Sequence, residues 1–442
     1  MDKHLLNINK LLELLLEHEK YTKQTISLVP SENVLSPLAR IPYLLDNQSR
    51  YFLDDLRLFG KWVFPSGQHL ASIEQTILKP LLIELAKAKY INVRPISGIN
   101  CMTVTLAALT KRGDSILTVP LTCGGHPSSS VVAERLALKV NDIPMSNCHE
   151  INYIAFEDIL KKVKPSLVYI DQATFLFPIS VKKMREIIDI VSPSTIIHYD
   201  SSHINGLIFG GVCNNPLDEG AHCFGGSTHK TFPGPHKGFL ATNDPILSKK
   251  IESATDHFVS HHHAASVISL AITLIEFKFC KGKKYAENIV INTRYMGELL
   301  NKFGYHVVKH GKKYTECHQL WVAFESEKEA CILFSKLCEA GLYLNYFQEL
   351  PGIHSPGFRL SLSEFTRYGA SMNDVEELCQ AFIAIDNEAL DVGKSKIRKI
   401  RQLRNQPNFC FKFESLPNGQ ISEFLRTYIN ATSAEAFIYD IC

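Results

Sequence analysis

The chain has 442 residues, 45% of them hydrophobic, with 47 Lys and Arg against 45 Asp and Glu and a formal charge of +2. That length allows two domains with a sizeable core, and so even a balance provides no basic field for nucleic acid. The 12 cysteines are scattered without a Cys-x-x-Cys pair, so neither a disulfide scaffold nor a metal site is expected, and no apolar run approaches the roughly 18 residues that span a bilayer.

Residues 1–45 read as an N-terminal arm. Met1-Asp2-Lys3-His4 leads into an amphipathic helix with charges inside it, which is not the pattern of a signal peptide, so the cytoplasm is the expected compartment. Leu5, Leu6, Leu11, Leu12, Leu15 and Leu16 fall at helical spacing on one face, a docking or core stripe. Strand-like and helix-like segments then alternate. Gly113–Val119, Pro165–Asp171 and Thr195–Tyr199 have the apolar runs of strands, Val181–Ile190 has helical periodicity, and Gly238–Thr242 reads as a further strand. This order predicts an α/β fold, a large domain over 46–285 with a mostly parallel sheet and helices on both faces. A long helical stretch, Ala264 to about Lys302, is expected to bridge to a smaller α+β C-terminal domain, 286–442. Its strands are expected near Gly304–Val308, His318–Phe324 and Phe358–Leu362. Its tail after Asn373 reads as helical, with the basic run Lys394–Arg404 a solvated face.

Two of the predicted strands end in reactive residues. Ile196-Ile197-His198-Tyr199 runs into Asp200-Ser201-Ser202-His203, and His222-Cys223-Phe224-Gly225-Gly226 runs into Ser227-Thr228-His229-Lys230. The C-terminal ends of parallel strands are where open α/β sheets bind ligands. A carboxylate on one such edge and a lysine on the next suit pyridoxal 5′-phosphate (PLP). The lysine forms the Schiff base, and the aspartate keeps the pyridinium nitrogen charged so that the ring can take up electrons. Each residue alone has a plainer reading, Asp200 as a helix N-cap and Lys230 as a surface lysine.

Further residues in collinear order carry a resemblance. Asp200-Ser-Ser-His203-Ile-Asn-Gly-Leu with Thr228-His229-Lys230-Thr231 resembles the Asp-x-Ala-His-x-x-Gly-Leu and Thr-His-Lys-Thr signatures of serine hydroxymethyltransferases. Ser31-Glu32-Asn33, Ser97-Gly98, Gly124-Gly125-His126, and Gly357-Phe358-Arg359-Leu360 with Thr366-Arg367-Tyr368-Gly369 match the same family, over roughly residues 25–385. The resemblance implies a fold type I PLP-dependent transferase with a seven-stranded-type sheet, acting as a homodimer with shared active sites on small amino acid and aldehyde substrates. It makes Lys230 the Schiff-base lysine in preference to Lys237. It places Asp200 on the pyridine nitrogen, His203 near the phenolic oxygen, and His126 over the ring, where it takes part in proton transfer. Ser97 and Gly98 would hold the phosphate at a helix start. The family's second serine there is Ile99, so Asn100, Ser227 or Thr228 would supply a hydroxyl or amide in its place. Arg359 would grip the substrate carboxylate as a planar fork, with Ser31 nearby and Tyr51 reaching in from the neighbouring subunit.

The segment after Tyr51 departs from that pattern. Serine hydroxymethyltransferases carry a glutamate two residues on and paired tyrosines later; here Leu53, Val63 and Phe64 stand in those places. Gly60-Lys61-Trp62-Val63-Phe64-Pro65 and Thr231-Phe-Pro-Gly-Pro-His-Lys-Gly238 are similar to the L-threonine transaldolases, a sister group that keeps the PLP core without the folate apparatus. That resemblance implies retro-aldol cleavage of L-threonine to acetaldehyde and a glycyl quinonoid, followed by addition to another aldehyde to give a β-hydroxy-α-amino acid. Two alternatives stay open. One is a folate-dependent hydroxymethyltransferase in which Asp54 or Asp55 replaces the glutamate. The other is a catalytically inactive PLP-binding scaffold, against which the joint presence of Asp200, Lys230 and Arg359 argues.

Overall fold

A computed structural model describes residues 3–53, 57–58 and 61–412, and in the tail 415–416, 419–420, 422–423 and 425–426. At its centre is a seven-stranded sheet. In chain order its strands are β1 (Tyr90–Asn92), β2 (Ser115–Thr118), β3 (Lys139–Asp142), β4 (Leu167–Ile170), β5 (Ile196–Asp200), β6 (Cys223–Ser227) and β7 (Gly238–Thr242). Their spatial order is β1-β7-β6-β5-β4-β2-β3. Every pairing is parallel except those of β7, which runs antiparallel to both β6 and β1. The central strands are buried on both faces, as helix-covered parallel sheets require: all four residues of β4 and all five of β6 are inaccessible. The antiparallel β7 follows from its connection. Only ten residues separate β6 from β7, too few for a helical crossover.

The smaller sheet is antiparallel throughout, with β8 (His306–Val307), β9 (Gln319–Ala323), β10 (Asn345–Phe347) and β11 (Gly357–Ser361) in the order β8-β9-β11-β10. The helical stretch expected from Ala264 to Lys302 is two helices, Ala264–Phe279 and Gly282–Lys302. The chain breaks at Cys280-Lys281, where Lys281 adopts a left-handed φ of +64°, and Gly282 follows because a Cβ there would lie 2.2 Å from the Phe277 carbonyl oxygen. The second helix serves both cores. Tyr285, Ala286, Ile289 and Val290 pack under the large sheet, Met296 and Leu300 under the small one. Ile26 and Leu28 also belong to the smaller core, through a parallel pairing of Ile26–Ser27 with Leu342–Tyr343.

In the N-terminal helix, Lys3–Thr22, three of the stripe's leucines stay outside the cores of this chain. Leu11, Leu12 and Leu15 are each more than half exposed. Those three positions favour the docking alternative for the stripe over the core one. Asp54, Asp55, Phe59 and Gly60 lie outside the described residues.

Candidate active site

The C-terminal edges of β4, β5 and β6 converge on a cavity of about 510 Å³. Lys230, His126, His203, Ser31 and Arg359 all line it. Lys237 does not: it is fully buried with Nζ donating to the His262 carbonyl at 2.8 Å. Burial pushes the Lys230 ammonium down to about 8, with Asp200 opposing and Arg359 reinforcing the shift. Its backbone is pinned by Asn33, whose Nδ2 donates to the Lys230 carbonyl at 2.6 Å and to Tyr285 Oη at 2.8 Å.

Asp200 closes β5. Its Oδ1 accepts from the Ser202 amide at 2.9 Å and its Oδ2 from Tyr169 Oη at 3.0 Å. Tyr169 stands on β4, beside Asp200 on the neighbouring strand. Gly226, at φ +145°, permits this approach, since a Cβ there would sit 2.8 Å from Asp200 Oδ1. Asp171, at the end of β4, plays the same structural part for the glycine turn. Its carboxylate accepts from the Val119 and His126 amides at 3.1 and 3.3 Å, and burial raises its carboxyl to about 7.

The turn ahead of His126 is compact enough to require its glycines. A Cβ on Gly124 (φ +86°) would lie 1.8 Å from the Thr174 carbonyl oxygen, and one on Gly125 2.0 Å from that of Val119. His126 Nδ1 accepts from the Ser128 amide at 3.1 Å, which leaves the neutral ring's proton on Nε2. Burial lowers its basicity; Asp200 opposes this, while Lys230 and Arg359 add to it. His203 Nδ1 lies 3.2 Å from His318 Nε2, and His318 Nδ1 2.8 Å from Ser361 Oγ. Both rings are buried and held neutral, well below the usual imidazole range.

Arg359 reaches the cavity from β11. Nη1 donates to the Ala173 carbonyl at 3.0 Å and to Thr174 Oγ1 at 2.9 Å, and Nη2 to Asn345 Oδ1 at 2.7 Å. All these acceptors are neutral, so the guanidinium has no counter-charge among the described residues. Burial brings it down to about 10.

Ser97 caps the helix Gly98–Leu109, its Oγ accepting from the Asn100 amide at 3.1 Å. Ile99 has no hydroxyl to offer a phosphate, and of the three residues expected to stand in for one, the Thr228 hydroxyl is already engaged, while Asn100 is held only through its amide oxygen and keeps its Nδ2 donors. Asn100 Oδ1 accepts from the Ile96 amide, and Thr228 Oγ1 donates to the Pro235 carbonyl at 2.6 Å. Ser227 Oγ, by contrast, is buried without a partner, as is His229 Nδ1. Ser227 packs against the helix start, 3.3 Å from where a Gly98 Cβ would lie. A buried orphan hydroxyl beside a helix N-terminus fits a phosphate, and the residues present thus fit PLP.

Tyr51 does not line its own chain's cavity. Its Oη donates to the Ser260 carbonyl at 2.9 Å and its ring stacks on His261 at 4.4 Å. Sequence reasoning does not find Asn33 as a positioning residue, nor does it find Tyr169, Asp171, Thr174, Asn345 or His318. Of these only Asp171 carries a readable signal, a carboxylate at a strand end like Asp200.

Fold and cavity together define a PLP-dependent enzyme of fold type I. The serine hydroxymethyltransferase family profile matches residues 8–380, and the chain belongs to that family. It is 37% identical over 409 residues to an L-threonine:uridine-5′-aldehyde transaldolase from a Streptomyces species, spanning 92% of this chain and 98% of that relative. A transaldolase of the same description from an Amycolatopsis species is 34% identical, over 85% of this chain and 91% of the relative. The serine hydroxymethyltransferase of Sulfolobus acidocaldarius is 31% identical, over 91% and 94%. In fold the chain superposes on the crystal structure of an L-threonine transaldolase from Pseudomonas fluorescens with a TM-score of 0.85, at 23% identity, covering 97% of this chain and 98% of that one.

Proposed function

We propose that the chain is an L-threonine transaldolase, which cleaves L-threonine to acetaldehyde and a glycyl unit and transfers that unit to a second aldehyde. The observation that carries the amino-acid half is Arg359, a half-buried cation with only neutral partners, lining the same cavity as Lys230. An α-carboxylate is the counter-charge it lacks. Support for the transaldolase half comes from Leu53, Val63 and Phe64, which stand where folate-using relatives carry a glutamate and tyrosines, and from the identities to two transaldolases.

Asp200 would hold the pyridine nitrogen of PLP, Ser227 and the Gly98 helix start its phosphate, and Lys230 its aldehyde carbon. Bound there, PLP supplies the sink for the electron pair released when the Cα–Cβ bond breaks. The protein's own part is positional. Arg359 fixes the carboxylate and so sets which Cα bond faces the cofactor. Lys230, with its basicity reduced, is available as a neutral amine. His126 keeps a proton on Nε2 while Ser128 occupies Nδ1, so it would hydrogen-bond the aldehyde oxygen, and the β-hydroxyl proton released in cleavage would pass to the neutral Lys230 amine, which returns it in the addition. Leu121, Phe347 and Leu350 line the cavity and would limit water at the reacting carbon.

The same reading extends to organisation: an arm 1–45, a large domain 46–285, a smaller domain 286–442, and a cytoplasmic homodimer whose Tyr51 serves the partner's site. The exposed leucine stripe and the distance of Tyr51 from its own cavity support the dimer. No helix among the described residues is long and apolar enough to cross a membrane.

The test is L-threonine with purified holoenzyme and no tetrahydrofolate. Acetaldehyde release is expected, and a supplied aldehyde should yield a new β-hydroxy-α-amino acid by mass spectrometry. Tetrahydrofolate-dependent serine turnover without threonine cleavage would return the reading to a hydroxymethyltransferase, and bound cofactor with neither reaction to a scaffold.

A further inference from the structure

A second cavity, of about 370 Å³, lies against the large core and shares no lining residue with the catalytic one. Its walls include Ile179, Tyr199, Cys213, Glu219, Arg294 and Glu316. Its size and its mixture of an apolar wall with a few fixed polar groups are those of small-ligand sites.

Each charged group has its own partner. Arg294, on the Gly282–Lys302 helix, donates through Nε to the Thr315 carbonyl at 2.8 Å, and Thr315 Oγ1 is in turn held by the Leu176 carbonyl at 2.9 Å. Glu219 is held at both oxygens, by the Val181 amide at 2.9 Å and Asn214 Nδ2 at 2.7 Å. Glu316 accepts from Lys313 on one oxygen, and its own amide donates to the Leu176 carbonyl at 2.9 Å. Two carboxylates therefore share a cavity with Arg294, and it pairs with neither. The Nε tether fixes the guanidinium, and no hydrogen bond or ion pair among the described residues engages its Nη groups. Opposite charges held apart across a gap match a ligand that carries both charges itself.

We infer that this cavity is a second binding site, for a free α-amino acid. The α-carboxylate lies on the Arg294 fork, the α-ammonium on Glu219 and Glu316, which keep unused lone pairs, and the side chain against Ile179, Ile204 and Val290. The site is wired to the catalytic cavity through the chain itself. Tyr199 immediately precedes Asp200, and Glu316 lies two residues before His318, the partner of His203. This inference does not depend on the transaldolase reading.

The probe is L-leucine, whose unreactive side chain suits the apolar wall, titrated calorimetrically into the holoenzyme while the cofactor absorbance is followed. Two half-probes accompany it, 4-methylpentanoate without the ammonium and 3-methylbutylamine without the carboxylate. L-leucine is expected to bind without changing the cofactor spectrum, and at least about tenfold more weakly in Arg294→Met and in Glu316→Gln. Neither half-probe should compete with it at equal concentration. Should Arg294→Met fail to fold by circular dichroism, Glu316→Gln carries the comparison alone. The inference is overturned by an identical L-leucine isotherm in wild type and the folded variants. It is overturned equally by no binding up to about 10 mM, or by 4-methylpentanoate binding as well as L-leucine.

Discussion

Arg359 and Lys230 owe their properties to what surrounds them more than to their types. Arg359 meets carbonyl, hydroxyl and amide oxygens but no carboxylate. Arg359→Lys keeps the charge and loses the fork. A substrate carboxylate left poorly paired in a buried site costs about 2–5 kcal/mol, so KM for L-threonine should rise at least about thirtyfold while PLP affinity stays close to wild type. Steady-state kinetics beside a cofactor titration check both halves. Lys230 makes a pH prediction. Its folded value of about 8 lies below the ordinary lysine value of 10.5, so folding releases its proton between those limits. The burial penalty on stability is therefore fully present below pH 8 and relieved as pH rises toward 10.5. In the apoprotein, the rate at which added PLP becomes fixed to Lys230 by borohydride should climb about tenfold per pH unit below 8 and level off above it. A profile still rising steeply at pH 10 would mean an unperturbed amine.

Among elements, the turn Leu121–His126 bears the tightest constraint. Gly125→Ala would force its Cβ toward the Val119 oxygen, now 2.0 Å from the ideal position. The turn must shift, and with it the two bonds from His126 and Val119 to Asp171. A loss of about 1–3 kcal/mol in stability is expected, with a larger loss in kcat than in PLP binding, read by thermal melts and kinetics. This scale also shows what the sequence could and could not reveal. Asp200, Lys230 and His126 are legible because each stands in a short motif after an apolar run, and Arg359 because it stands in a short motif within one. Tyr169, Asn33, Asn345 and His318 are not, because their partners lie 31, 197, 14 and 115 residues away and no local pattern records such a pairing. The break at Cys280-Lys281 escapes for a different reason. Apolar periodicity continues on both sides of it, and a non-glycine residue takes the left-handed turn. Likewise the leucine stripe announces a burial face without saying whose surface covers it.

At the level of the whole molecule, Tyr51 is the test. It is bonded to Ser260 and stacked on His261, away from its own cavity. If it serves the partner, Lys230→Ala and Tyr51→Phe chains, each inactive alone, should complement one another when mixed. A hybrid dimer then has one site with both residues intact, so random assortment gives about a quarter of wild-type activity. No recovery after verified subunit exchange would refute shared sites.

The helix Gly282–Lys302, with one end in each core, has a thermodynamic consequence. Asn292, midway along it, donates to Thr366 Oγ1 and the Ala370 carbonyl at 3.0 and 3.2 Å, so the helix is fastened at its middle as well. Neither core can melt without exposing part of the other. A calorimetric scan should accordingly give one heat-absorption peak where a two-lobed chain would give two. Met296→Ala, a truncation in the smaller core worth about 2–5 kcal/mol, should move that single peak downward intact, leaving no shoulder from a surviving large lobe.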